Sequence, residues 1–271
     1  MSINEWLSET TSTLTKLGIE TARLDALVLL EDALGKDRSS VLAQPEAELD
    51  GTILTTLDDW VVRRSSHEPL AYIRGRTEFY GRNFAVNDFV LVPRPETEVM
   101  IDMLKSEAET ANNILDIGTG SGILAITAKL ELPHAFVAAT DVDDRCIYIA
   151  ENNAKALNAD VKFYRSDLLE NIPPPVISQP ATVLLANLPY VPDELEINRA
   201  ASHEPSLAIF GGANGLDLYR KLFDQLAKFP DRPVFVFTES LTLQHTVMKV
   251  LAARAGYHEH FAQGLIQAFR L

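Results

Sequence analysis

The 271-residue chain is poor in the features that mark several functional classes. It has a single cysteine, Cys146, so no internal disulfide can form, and a reducing cytoplasm is the simplest setting. Positive charge is scarce: 24 Lys and Arg stand against 38 Asp and Glu, a net charge of −14. Such a chain lacks the general attraction to phosphate on which non-specific nucleic-acid binding relies, and a basic protein partner suits it better. Long apolar runs are missing too. "ALVLL" is stopped by Glu31 and Asp32, so no membrane span is expected. "MSINEWLSETTSTLTK" has no basic residue before Lys16 and no apolar centre, so a signal peptide is not expected either. The six histidines form no ligand set: His258 and His260 share one strand face without a third ligand nearby. Repeats and low-complexity tracts are absent.

What is present falls into three parts. Residues 1–68 read as helical, with Leu24, Leu27, Val28, Leu30 and Leu34 on one face and Gly35 as the C-cap. Ile53, Leu54, Leu57, Trp60 and Val61 make a second stripe, and Trp6 and Trp60 are core candidates. No titratable cluster stands out, so this part reads as a small bundle for recognition or stability. Residues 69–92 form the second part, in which "FYGRNFAVNDFVLVP" reads as a β-hairpin turning at Asn87–Asp88 and joining two domains. "RPETE" then opens a helix, with Pro95 in its first turn and acids at its positive end. Glu68 and Glu96 read as a solvated carboxylate and a helix-start acid rather than an acid/base pair.

Residues 93–271 alternate strand and helix. Strands are expected near 114–117, 135–140, 161–165, 182–186 and 233–238, and helices at about 121–130, 144–157, 214–228 and 242–254. A closing hairpin, 257–262 and 265–270, is divided by "QG". This is an α/β pattern: a parallel sheet covered by helices, with one antiparallel addition. "PPP" at 173–175 reads as a surface loop, and Cys146 as a packed side chain.

Two motifs carry chemistry. "ILDIGTGSGILAI" sets Gly118, Gly120 and Gly122 between the first strand of the alternating part and its helix, where backbone N–H groups can face a ligand. Asp141 lies 21 residues after Gly120, ending the next strand in "AATDVDD", where a carboxylate can accept both ribose hydroxyls of a nucleoside. Dinucleotide binding would want Gly or Ala at position 123, which is Ile123. Instead Asp116 precedes the loop as D-x-G-x-G-x-G. This resembles motif I of the S-adenosylmethionine-dependent methyltransferases of Rossmann-like fold, in which the loop receives the methionine part of the cofactor. Asp167 in "YRSDLL" matches an acidic position that contacts the adenine edge, or else serves as a helix N-cap, and Leu168 would pack on the adenine face.

The second motif is "NLPY", Asn187 to Tyr190, at the end of the strand "TVLLA". It resembles the (N/D)-P-P-(Y/F) signature of methyltransferases acting on planar nitrogen. An amide or exocyclic amine nitrogen has a delocalised lone pair. The Asn187 oxygen and a backbone carbonyl near Leu188 or Pro189 can accept its N–H hydrogens and aim that lone pair, with Tyr190 against its plane.

Further segments resemble the protein-(glutamine-N5) methyltransferases that modify peptide chain release factors. These are "EPLAYIRGRTEFYGRNFAVNDFVLVPRPETE" at 68–98 and "HEPSLAIFGGANGLDLYRKL" at 203–222, in register with "LDIGTGSG", "TDVDD" and "NLPY". The resemblance implies methyl transfer from S-adenosylmethionine to the glutamine of a GGQ motif in translation termination, with S-adenosylhomocysteine as product. It implies a Rossmann-like seven-stranded catalytic domain at 93–271, a helical release-factor-recognition domain at 1–68 and a hairpin linker at 69–92. By matched position, Gly118, Thr119, Gly120, Ser121, Gly122, Asp141, Asp167, Leu168 and Asn187 would bind cofactor. Asn187, Leu188, Pro189 and Tyr190 would hold the glutamine, with Asn187, Pro189 and Tyr190 catalytic. Phe79, Arg94, Pro95 and Thr97 would line the site from the hairpin side.

There are departures from the family pattern. N-P-P-Y is usual in the family, and N-L-P-Y is also the form of ribosomal-RNA adenine dimethyltransferases. An adenine-N6 methyltransferase acting on RNA or DNA is therefore the rival reading, and a non-catalytic binding module the third. "TESLTLQH" keeps Glu239 and Gln244 but lacks the family's glycine, and "GLIQAFRL" lacks its Arg-rich end. Both changes are expected to lie away from the chemistry. A cytoplasmic monomer without metal or direct nucleic-acid contact is expected.

Overall fold

The computed structural model describes residues 1–173, 176 and 182–271. Pro174 and Pro175 of the expected proline loop lie outside the described residues. The chain divides into two units, 1–75 with 198–203, and 76–197 with 204–271.

The first unit is helical: α1 (Ile3–Lys16), α2 (Ala22–Leu34), α3 (Arg38–Leu42), α4 (Gly51–Ser65) and α5 (Leu70–Arg74). Helix α1 opens with a capping box, in which the Ser2 hydroxyl accepts from Glu5 N–H and Glu5 reaches back to Ser2 N–H. Helix α2 ends at Gly35 in the left-handed conformation, as its sequence implies. Trp6, Leu27, Leu29, Leu30, Val41 and Leu57 make the core, with Trp60 at its margin. The buried face of α2 is turned from the expected one, leaving Leu24 half-exposed and Asp25 inside. Asp25 is drawn in by Arg64, whose Nε lies 2.7 Å from its Oδ2, and by the Thr21 hydroxyl at 2.9 Å. A charge–charge contact between distant segments thus outranks one leucine. Glu68 is also less solvated than expected, because it takes both Arg63 Nε and Nη2.

The second unit begins with a hairpin, β1 (Arg76–Phe79) and β2 (Arg82–Ala85), paired Phe79 with Arg82. Its turn is Tyr80–Gly81, seven residues before the expected Asn87–Asp88. Gly81 at φ 70° supplies the left-handed backbone that the turn needs. Residues 70–74 are helical and belong to the first unit.

The remaining strands are β3 (Asn113–Ile117), β4 (Phe136–Asp141), β5 (Val161–Arg165), β6 (Thr182–Ala186), β7 (Phe235–Glu239), β8 (His258–Gln263) and β9 (Ile266–Arg270). They form one sheet in the order β5-β4-β3-β6-β7-β9-β8. All neighbours are parallel as far as β7, and β9 and β8 add the antiparallel edge that the closing hairpin implies. The central strands β3, β6 and β7 are buried throughout, which is why each reads as an apolar run rather than an alternation. Helices α6 (Glu98–Glu107), α7 (Ile123–Glu131) and α8 (Asp144–Ala156) cover the sheet, as do Asp217–Leu226 and His245–Arg254. The order in which strands are added reverses between β3 and β6, and ligands of open α/β sheets lie at the carboxyl edge beside such a switch.

Candidate functional site

At this edge the ends of β3, β4, β5 and β6 surround a cavity of about 290 Å³. The β3 loop is held down at its start: Gly118 and Thr119 N–H both donate to Thr140 carbonyl, at 2.9 and 2.8 Å. Gly118 has φ 71°, and a Cβ there would come within 2.9 Å of Leu188. Gly120 at φ 54° has nothing within 4 Å of its Cβ position, so its backbone stands open to a ligand. Gly122 caps α7 from the left-handed region against Ile126 and Ala150, so it shapes the loop without lining the cavity.

Two buried carboxylates flank the loop. Asp141 takes Gly120 N–H on one oxygen at 2.9 Å and Asp143 N–H on the other at 3.0 Å. Burial nevertheless holds its pKa above the ordinary value. Asp116 accepts the Thr119 hydroxyl (2.6 Å) and Ala125 N–H (3.2 Å) on Oδ2, while its Oδ1 is buried without a partner. Burial pushes its pKa up to about 7. A carboxylate with an orphaned oxygen, on the wall of a cavity that an open glycine backbone also lines, fits a cationic ligand, and Asp141 fits a diol. The residues thus suit S-adenosylmethionine, which carries an ammonium, a sulfonium and a ribose. Asp167 and Leu168 line the cavity beyond Asp141; Asp167 pairs with Lys221 at 2.6 Å, and Leu168 sits at φ 54°, an uncommon backbone for leucine. Cys146 lines the wall with its thiol toward Phe89 carbonyl (3.3 Å), and burial raises its pKa to about 12, so it is a packed, protonated side chain as expected.

Asn187 and Pro189 also line the cavity, as do Arg94 and Thr97. Asn187 Nδ2 donates to Thr97 Oγ1 at 3.1 Å, and Thr97 donates to Glu239 Oε2 at 2.8 Å. Arg94 is pinned by the buried Glu204 (2.5 Å), which also takes Val92 N–H (2.9 Å).

Three expectations need correction. Phe79 is 1% exposed, edge-on to Phe84 in the core, so the hairpin strand turns it away from the cavity. Pro95 is exposed at the start of a 3-10 turn, and Pro93 lines the wall instead. Tyr190 does not face the cavity. Its ring is partly buried against the core and its hydroxyl donates to Glu239 Oε1 at 3.0 Å, the acceptor that a phenol sheltered from water needs. Leu188 lines the cavity while its side chain also packs in the core beneath Gly118, and its N–H donates to Tyr219 hydroxyl (3.1 Å).

The segment expected to be remote from the chemistry stands directly behind it. Glu239 holds Thr97 and Tyr190, and Gln244 Nε2 donates to Tyr190 carbonyl at 2.8 Å. Gly211 and Gly215 lie so close that a Cβ on either would meet Pro189 carbonyl at 2.3 Å or Tyr190 carbonyl at 2.0 Å. Tyr219, in "GLDLYR", donates to Glu239 carbonyl and Ala186 carbonyl. The segment 203–222 was singled out by sequence, yet nothing in it revealed this support.

With this geometry in hand, the comparisons are decisive. The profile of the PrmC N-terminal domain matches residues 5–75, and that of the methyltransferase small domain matches 95–197. The release factor glutamine methyltransferase of Coxiella burnetii is 33% identical over 262 residues, 96% of this chain and 93% of the relative. The chain belongs to the release factor glutamine methyltransferase family. The protein of that name from Koribacter versatilis is 39% identical over 210 residues, 75% of this chain and 74% of its own. Among solved structures, the hMettl16 catalytic domain in complex with MAT2A 3′UTR hairpin 1 aligns with TM-score 0.56 at 12% identity, covering 83% of this chain and 82% of that one. A methyltransferase from Pyrococcus furiosus aligns with TM-score 0.51 at 19% identity, over 71% and 90%. These likenesses concern fold.

Proposed function

We propose that this protein transfers a methyl group from S-adenosylmethionine to the side-chain amide nitrogen of the glutamine in the GGQ motif of peptide chain release factors. The observation that carries this reading is the Asn187 amide held at the cavity wall, on a chain whose full-length relatives bear that activity in their names. Gly118 to Ser121, Asp141, Asp167 and Leu168 hold the cofactor, and Asp116 neutralises its cationic end. When bound, it supplies an electrophilic methyl on sulfonium.

The remaining work belongs to the other wall. The Asn187 Oδ1 and the Pro189 carbonyl accept the two N–H hydrogens of the glutamine amide, fixing its plane and directing its lone pair. As nitrogen gains the methyl and positive charge, these acceptors stabilise it, and a proton then leaves to solvent. Alignment of the two reactants supplies about 7–11 kcal/mol of the barrier. No prior base is needed, consistent with a wall that offers amide, carbonyl and hydroxyl groups. The helical unit, residues 1–75 with 198–203, serves release-factor recognition, the hairpin segment that follows it leads into the catalytic part, and the protein works in the cytoplasm as a monomer.

The acidic balance and the relatives both disfavour an adenine substrate. The test is mass spectrometry of a tryptic digest after a release factor is incubated with protein and S-adenosylmethionine. One added methyl on the GGQ peptide, lost in Asn187→Ala, is expected. An unmodified peptide together with methylated adenine in added RNA or DNA would overturn the reading.

A further inference from the structure

A carboxamide has an accepting end and a donating end of nearly the same shape, and only one of them serves an N–H substrate. Asn187 must therefore be held one way round. The structure supplies the means in two residues to which the reading above gives no part in holding cofactor or substrate, Thr97 on the cavity wall and Glu239 behind it. Thr97 is fully buried and Glu239 is 1% exposed, so water does not arbitrate between them. An ionised carboxylate only accepts hydrogen bonds, and a threonine hydroxyl has one hydrogen to give. Thr97 gives it to Glu239 Oε2 at 2.8 Å, while the second oxygen of Glu239 is taken by the Tyr190 hydroxyl at 3.0 Å. What Thr97 shows Asn187 is a lone pair, which only the NH2 end can satisfy, and the 3.1 Å contact from Nδ2 is that bond. Oδ1 is left without a hydrogen-bond partner among the described residues.

We propose that Glu239, acting through Thr97, is a positioning residue that locks the Asn187 amide with its carbonyl oxygen toward the substrate, so that the site accepts N–H groups and cannot donate to them. This rests on the methyltransferase reading above and adds to it the reason the amide is selected. The lock depends on Glu239 being ionised. A protonated Glu239 would donate to Thr97, reverse both bonds and turn the NH2 end outward. The groups facing Glu239 are Thr97 and Tyr190, whose hydrogen bonds favour the ionised form, the nearby Asn187 amide, which weakly favours it too, and the charge of Glu96, which opposes it. Arg94 faces Tyr190 from the other side. Burial is the largest influence and holds the carboxyl above its ordinary value, so the reversal falls at a higher pH than an exposed glutamate would give.

The test compares wild type with Thr97→Ser, Thr97→Val and Glu239→Gln. Single-turnover methylation of a release factor is measured at saturating S-adenosylmethionine across pH. In parallel, the exchange of the Asn187 side-chain NH2 protons is followed by NMR after asparagine-selective 15N labelling. Thr97→Val is expected to lose about 100-fold in rate, with dissociation constants for cofactor and release factor changed less than about twofold, and with fast-exchanging NH2 protons. Thr97→Ser keeps the hydroxyl and stays within about threefold of wild type. The acid limb of the wild-type pH profile disappears in Glu239→Gln, whose single acceptor oxygen cannot serve both partners. A Thr97→Val protein turning over at the wild-type rate, or an acid limb unchanged in Glu239→Gln, would overturn the proposal. Protected NH2 protons in a wild type that methylates no release factor would leave the lock standing and remove the substrate assignment instead.

Discussion

Replacing Asp116 with asparagine should make the ligand-free protein more stable, by an amount that grows with pH. The carboxyl is 1% exposed, one of its oxygens has no partner, and its pKa is pushed from 3.8 up to about 7, chiefly by burial. A folded chain that holds this proton more tightly than the unfolded chain is favoured below the unfolded value. That contribution is lost as pH rises through the folded one, so the window runs from 3.8 to about 7. Above it the ionised form costs about 4 kcal/mol relative to the unfolded chain. Asparagine keeps an acceptor for Thr119 and Ala125 and carries no charge, and its unpartnered NH2 adds only a pH-independent offset. The stability gap between Asp116→Asn and wild type should therefore widen by several kcal/mol between pH 4 and pH 8 and then level off. Urea unfolding followed by circular dichroism measures it; fluorescence would report the wrong unit, since Trp6 and Trp60 both lie in the helical one. S-adenosylmethionine should close the gap by stabilising wild type more than the variant, because its cationic end partners the carboxylate. A gap that is flat with pH, or cofactor stabilisation equal in the two proteins, would refute the assignment of Asp116 as the unpaired charge that awaits the ligand.

Other perturbations test neighbouring claims. Gly211→Ala drives a methyl group into Pro189 carbonyl at 2.3 Å, and the displaced acceptor should cost about 100-fold in methylation rate while the circular dichroism spectrum is retained. Tyr190→Phe deletes the hydroxyl on Glu239 but keeps the packed ring; a loss of about 1–2 kcal/mol in stability and only a modest fall in rate should appear in parallel melts and assays, whereas abolished turnover would restore the ring to the substrate. Arg64→Met leaves the Asp25 carboxylate buried without a cationic partner, so the helical unit should lose about 3–5 kcal/mol by tryptophan-monitored unfolding, and the double change Asp25→Leu with Arg64→Met should recover most of it.

The order and spacing of strands and helices in the second unit could be read from sequence because buried parallel strands are apolar throughout and each is followed by a turn signal. The loop from Gly118 to Ser121, Asp141, Asp167 and Asn187 could be read for the same reason: each stands at a strand's carboxyl end, and the topology brings those ends together. Side-chain direction was less accessible. Phe79 and Tyr190 sit in motifs that suggest a ligand, but aromatic rings with a core beside them bury themselves there. The inward turn of Asp25 depends on Arg64, 39 positions away, and the hairpin turn on a Tyr-Gly pair that competes with Asn-Asp in composition. Glu239 and Gln244 were visible as residues, but their part in holding Thr97 and Tyr190 required the ends of β6 and β7 and the start of α6 to be placed side by side.

The most direct measurement is a crystal structure of the protein with S-adenosylhomocysteine and a peptide bearing the GGQ sequence. The account predicts the glutamine amide nitrogen within about 3.2 Å of Asn187 Oδ1, its open face toward the sulfur, and Asn187 Nδ2 still on Thr97. A glutamine side chain seated elsewhere in the cavity, or an Asn187 that presents its NH2 to the peptide, would contradict it.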